Sequence, residues 1–168
     1  MKLGTRGRYA VAAMADIARW SNDKPINLAS IEERQGISLS YLEQLFLQLR
    51  RANIVTSVRG PGGGYRLSRH ADDITLSEII SAVDETLVVT RCRPDSAHGC
   101  MASGERCQTH DLWDELTAHI NNFFETISLG DVIAHRVRGR AEPLANTASD
   151  FPNLLADLAA RSNDGRLL

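Results

Sequence analysis

Cys92, Cys100, Cys107 and His110 fall within 19 residues, and these three cysteines are all the chain contains. Three thiols and one imidazole make a full set of donors for a tetrahedral zinc ion or a small iron–sulfur cluster. Cys107 and His110 stand at i and i+3, so at the start of a helix they project to one side and can reach one centre. Residue types and spacing leave zinc and iron–sulfur level. Two other outcomes use the same residues: a thiol switch in which the cysteines oxidise and His110 stands by, and free thiols with no ligand. An odd number of cysteines cannot close wholly into intramolecular disulfides. No signal peptide or apolar run of membrane-spanning length is evident either, so a reducing cytoplasm is the expected setting.

These donors need elements to hold them. Between Cys92 and Cys107 lie Pro94, Gly99, Gly104, two serines and mixed charges, a composition with nothing to bury. The spacing predicts a loop over 87–108 that is either disordered or ordered by a ligand. Downstream, Leu112, Leu116, Ile120, Phe123, Phe124 and Ile127 keep helical spacing, with Trp113 alongside, which predicts a long helix over 109–127 capped at Thr109. Its apolar face is wide for so small a chain. It would serve a homodimer, with burial against the chain's own first helix as the alternative. A short helix completes 109–136, and 137–168 reads as a flexible tail in which Asp150 could cap a helix through Leu154, Leu155 and Leu158.

Upstream, residues 1–86 read as a winged helix-turn-helix domain, giving a mostly α fold with a small β-wing. Ala10, Ala13, Met14 and Ile17 form the buried stripe of a first helix, Thr5 to Trp20. A second helix, about Leu28 to Arg34, stops at Gly36. The third starts near Ser38 or Ser40, where Ser40 and Glu43 have the spacing of a capping box, and buries Leu42, Leu45, Phe46 and Leu49. Two short helices joined by a glycine turn place the second in the major groove, although many helical hairpins of this kind read nothing. The outward residues are Ser38, Ser40, Tyr41, Glu43 and Gln44, types that suit base edges or phosphates. Glu43 could equally be a cap and no more, or repel wrong sites.

Two β-favouring runs, 54–58 and 65–67, flank Gly60-Pro61-Gly62-Gly63-Gly64. Such a tip can approach a DNA backbone closely, with Arg59, Pro61 and Gly62 at its apex and Arg66 adding charge. A nucleotide-cradling loop is the weaker reading, because two strands flank the glycines and no Lys-Ser/Thr follows. Beyond the wing, Thr75 and Glu78 form another capping-box pattern, opening a helix to about Asp84.

Charge divides the chain in the same place. Residues 1–70 carry eleven Lys/Arg against five Asp/Glu, a net of +6, while 71–168 carry eight against sixteen, a net of −8. A basic first half calls for a polyanion there, and double-stranded operator DNA is the partner expected. No paired carboxylates or nucleophile–base set accompanies the cysteines, so neither an enzyme nor a small-molecule substrate is expected, nor a membrane.

The assembled residues resemble the IscR type of iron–sulfur cluster assembly regulator, a winged helix-turn-helix family. The matching stretches are Gly7 to Val11, Glu33 to Phe46, Val58 to Tyr65, Ile79 to Glu85, Thr90-Arg91-Cys92 and Cys107-x-Thr109-His110-x-Leu112-Trp113, within residues 1–133. Sibling regulators of nitric oxide, iron and cysteine metabolism share the wing and reading helix, while the Cys-x-x-His ending is similar to IscR in particular. The resemblance implies that Cys92, Cys100, Cys107 and His110 ligate a 2Fe–2S cluster, one per subunit of a homodimer. It also implies that Tyr41, Glu43, Gln44, Arg59, Pro61 and Gly62 face DNA, and that cluster-assembly genes are controlled, mainly by repression. A zinc-stabilised or thiol-redox regulator of sibling type is the alternative. The seven- and six-residue gaps between the cysteines are longer than the resemblance leads one to expect.

Overall fold

The computed structural model describes residues 4–21, 24–85, 100–101 and 103–137. Cys92, most of the loop around it, Asn22 and Asp23, and the tail with its expected helix lie outside the described residues.

Among the described residues, six α-helices and a two-stranded sheet follow from the sequence patterns. α1 (Thr5–Trp20) buries Ala10, Ala13, Met14 and Ile17. Two alanines on that stripe allow close approach by the short helices Leu76–Ala82 and Leu129–Ile133. α2 (Leu28–Gln35) is capped by Asn27, whose side chain accepts the Ser30 N–H at 2.7 Å. It ends at Gly36, whose φ of 66° is left-handed; a Cβ is disfavoured there and glycine carries none. That turn redirects the chain into α3 (Leu39–Arg51), which buries Leu42, Leu45, Phe46 and Leu49 as its spacing predicts.

One local expectation is corrected here. The Ser40–Glu43 capping box does not form, because α3 begins at Leu39 with Ser38 as N-cap, and Ser40 is already inside the first turn. The free amide at Leu39 is satisfied from α2 instead, donating to Glu32 Oε1 at 2.9 Å. A carboxylate one helix away therefore does the work assigned to Glu43, and Glu43 is left exposed.

β1 (Val55–Val58) and β2 (Gly64–Leu67) pair antiparallel, Val55 opposite Leu67 and Val58 opposite Gly64. The hairpin is pinned close to its turn by Ile26 and Tyr65, each donating its N–H to the other's carbonyl at 2.8 Å. Gly64 makes this possible, since a Cβ there would stand 2.3 Å from the Ile26 carbonyl oxygen. Tyr65 packs its ring on Phe46, centroids 4.8 Å apart, which seats the wing against α3.

A single 3₁₀ turn (Ala71–Asp73) leads to α4 (Leu76–Ala82), with the expected Thr75–Glu78 box in place. α5 (His110–Thr126) and α6 (Leu129–Ile133) complete the described fold. Ser128 and Asp131 form a second capping box on α6. The two boxed starts lie back to back: Leu76 N–H donates to Ile127 O at 2.9 Å and Leu129 N–H to Ile74 O at 2.8 Å. Ile74, Ile79, Ile127 and Leu129, all fully buried, fill the space beneath this clasp. Among the described residues no helix is long and apolar enough to cross a membrane.

Candidate nucleic-acid interface and metal centre

With its apolar stripe turned inward, α3 presents Ser38, Ser40, Glu43 and Gln44 to solvent. Tyr41 is half-buried instead, its ring edge-on to Tyr9 of α1 with centroids 5.8 Å apart. The contact leaves Tyr41 a ring held against α1 rather than a free side chain. Arg59, Pro61 and Gly62 form the exposed tip of the wing, closed by Gly63 N–H donating to Gly60 O at 2.9 Å. Arg66 leans along the outer sheet face toward Thr56 Oγ1, 3.4 Å away.

The sequence reading missed three residues beside this surface. Arg6, Gln48 and Arg51 join Tyr41 and Gln44 around a groove of about 230 Å³ on the outward side of α3. Gln44, Gln48 and Arg51 follow one another at i, i+4 and i+7, so helical spacing could have found two of them. Arg6 reaches the groove from α1, which no local pattern records. Arg6 and Arg51 give this groove the charge a phosphate backbone requires. Gln48 also donates to Asp84 Oδ2 at 2.8 Å, joining α3 to the turn that follows α4.

A larger cleft, about 650 Å³, lies away from α3, between β2 and α6. Two of its arginines are paired: Arg136 meets Asp131 and Asp72 at 3.0 and 3.1 Å, and Arg69 meets Glu78 at 2.9 Å. The hydrogen bond that Arg136 donates to Asp131, ahead of the two nearby carboxylate charges, holds the Arg136 pKa above its ordinary value.

At the other candidate site the structure brings Cys100, Cys107 and the first residue of α5 together. His110 is 4% exposed, and its Nδ1 lies 3.5 Å from Cys100 Sγ. Two donors bound to one tetrahedral centre at ordinary metal–sulfur and metal–nitrogen lengths stand about 3.6 Å apart. The observed pair fits that spacing. Cys100 Sγ also accepts the backbone N–H of Cys107 at 2.9 Å, the kind of hydrogen bond that tunes cluster thiolates. Cys107 Sγ is 3.6 Å from Thr109 Oγ1. Thr109 holds the N-cap position but makes no side-chain cap, since its hydroxyl accepts the Trp113 indole N–H at 3.2 Å. The open amides of α5 thus leave a positive helix end beside the thiols, favourable to an anionic group.

His110 Nε2 is buried and has no hydrogen-bond partner among the described residues. Among the described residues no three donors gather as a metal-holding group, and Cys92, the fourth member of the expected set, lies outside them.

Known proteins share this fold. The family model Rrf2, "Iron-dependent Transcriptional regulator", matches residues 3–135. The HTH-type transcriptional regulator IscR of Aliivibrio salmonicida is 53% identical over 133 residues, covering 79% of this chain and 77% of the relative. Among solved structures, an IscR from T. potens superposes with a TM-score of 0.65 at 34% identity, covering 81% of this chain and 88% of that one. CymR, described as the global cysteine regulator of B. subtilis, gives a TM-score of 0.67 at 29% identity, covering 80% and 98%.

Proposed function

This chain belongs to the Rrf2 family of DNA-binding transcriptional regulators, and from that premise we propose that it acts as a homodimeric sensor of iron–sulfur cluster supply. It is a regulator and not an enzyme. The proposed output is control, mainly repression, of cluster-assembly genes in the cytoplasm.

The observation that carries the reading is the Cys100–His110 pair at the head of α5, with Nδ1 of the buried ring 3.5 Å from the sulfur. Cys92, Cys100, Cys107 and His110 would hold a 2Fe–2S cluster. When bound, such a cluster supplies a core whose presence depends on iron, sulfur and oxidants. The residues of the chain do the rest. Cys107 N–H stabilises the Cys100 sulfur, and the packing of His110 fixes where the imidazole is offered. Ser38, Ser40, Tyr41 and Gln44 read base edges, Glu43 rejects sites that crowd it with phosphate, and Arg59, Pro61 and Gly62 grip the backbone beside the wing. The chain thereby chooses between operator classes by a shift between two arrangements of the cysteine segment, each fitting the reading helices differently.

Purification without air, followed by an absorption spectrum and metal analysis, tests the cofactor. A coloured protein with iron and sulfide is expected; a colourless protein holding stoichiometric zinc would falsify the cluster reading. Gel shifts of the full chain at several salt concentrations test the DNA surface. Arg59→Ala should weaken binding to every sequence and reduce the salt slope by about 1, whereas Gln44→Ala should cost about 1–3 kcal/mol at particular bases only. Equal loss on all sequences from both variants would remove Gln44 from base reading.

A further inference from the structure

α1 begins without a cap of its own. Gly4, its N-cap residue, has no side chain to offer, and no acid stands in the first turn. Open N–H groups at a helix start call for an acceptor, preferably a negative one. Glu85 supplies it from 78 residues along the chain, its Oε2 accepting the Gly7 N–H at 3.2 Å.

The end of α4 sets how Glu85 arrives there. The Glu85 N–H donates to Ile80 O at 3.3 Å and the Asp84 N–H to Ser81 O at 3.1 Å, with Asp84 left-handed at φ 54°. This pairing commonly ends a helix, but glycine usually holds the left-handed place. Here an aspartate holds it and uses its side chain, Oδ2 accepting from Gln48 Nε2 of α3 at 2.8 Å. Arg6 Nη1, on the first turn of α1, lies 3.5 Å from Val83 O. Val83, Asp84 and Glu85 thus join both walls of the groove that Arg6, Gln48 and Arg51 line.

We infer that Glu85 is a positioning residue for DNA binding: by capping α1 it fixes where Arg6 is offered to a backbone phosphate across the groove from Arg51. This rests on the DNA reading above and adds to it a residue that itself touches no DNA. Asp84 steadies the opposite wall through Gln48. With five donors, the Arg6 guanidinium can hold Val83 O and still reach a phosphate oxygen. The sign of the effect separates this role from plain electrostatics. Glu85 is an acid near a phosphate-binding groove, so charge alone makes its removal tighten binding. A positioning residue does the reverse, because an uncapped α1 start lets Arg6 drift from the phosphate.

The test uses the full chain and a duplex that the wild type selects from a random pool, with affinity measured from about 50 to 200 mM salt. Glu85→Ala should bind more weakly, with a salt slope smaller by about 1, so its deficit shrinks about three- to fourfold across that range. Glu85→Gln keeps an acceptor for the Gly7 amide and should recover most of the loss. Gly4→Ala retains the acid but displaces it, since a Cβ there would overlap the Glu85 carboxylate, and should weaken binding in the same way. Arg6→Ala should lower the slope equally, and adding Glu85→Ala to it should change little. Urea unfolding checks that each variant is folded under assay conditions; should Glu85→Ala fail to fold, Gly4→Ala decides on the same two readouts. Tighter binding, an unchanged slope, no recovery with glutamine, or full additivity with Arg6→Ala would each overturn the assignment while leaving DNA binding in place. A wild-type chain that selects no duplex would instead remove the DNA reading, and this inference with it.

Discussion

Asp16 puts a carboxylate in the interior of α1 with none of its side chain exposed. Such a group is tolerated only when its oxygens are filled, and α2 fills them. Arg34 Nε reaches Asp16 Oδ1 and Oδ2 at 3.2 and 3.0 Å, and Gln35 Nε2 donates to Oδ2 at 2.9 Å. The hydrogen bond to Asp16, more than its charge, holds the Arg34 pKa above its ordinary value. Three residues thereby fix the angle between α1 and α2, and through the Gly36 turn the position of the reading helix. Arg34→Ala leaves the buried carboxylate with one amide donor. A fully buried pair broken this way costs about 3–5 kcal/mol. With the Arg34 side chain 32% exposed, water recovers part of that, and about 2 kcal/mol is expected. Urea unfolding measures it; a loss below about 0.5 kcal/mol would mean that Gln35 and water alone satisfy Asp16.

Among the elements, the clasped starts of α4 and α6 respond to composition and to pH. Thr75→Ala removes one side of a capping box and should cost about 1 kcal/mol. Burial works against the Glu78 carboxylate, but the Thr75 amide and the Arg69 guanidinium together outweigh it and hold its pKa below the ordinary 4.5. A depressed pKa in the folded state means that the stabilisation is complete above the unfolded value and is lost as pH falls through the folded one. Glu78→Gln should therefore be less stable than wild type at about pH 6, with the gap closing toward about pH 3. Urea titrations across that range measure the gap, and a constant difference would show that the charge contributes nothing.

The same elements show what local sequence can reveal. Thr75 and Glu78 cap one another within four residues, so their box was legible, as were the stripes of α1 and α3. The Ser40–Glu43 box had the same signature and does not form, because α3 begins at Leu39, whose amide is satisfied by Glu32 from another helix. The Asp16–Arg34 pair, the Gln48–Asp84 bond and the place of Arg6 in the groove join residues far apart in sequence, which spacing cannot record. At the metal site the donor types were legible. The burial of the His110 ring arises from packing and was not.

For the whole molecule, the basic half carries the surface proposed to read DNA, and the acidic half supplies a helix only partly covered by the described residues of its own chain. Phe124 packs against the core and Ile127 is fully buried within it, so one side of α5 is already occupied. Leu112, Leu116 and Phe123 are 61%, 38% and 37% exposed, and they follow at i, i+4 and i+11 along one stripe. Apolar groups repeated along a helix in this way call for a partner surface, and a second copy of α5 supplies a self-complementary one. Pairing through α5 would set two reading helices at a fixed separation, which a palindromic operator then matches. Because Leu112 is outside the core, Leu112→Asp should leave the monomer fold and its unfolding free energy within about 0.5 kcal/mol of wild type. It should nevertheless shift the protein from dimer to monomer in sedimentation, and lower affinity for a two-half-site duplex by at least about tenfold, or 1.4 kcal/mol. Binding to an isolated half-site should change little. A variant that remains dimeric, or that loses half-site and full-site binding equally, would mean that the exposed stripe of α5 does not join the two reading heads.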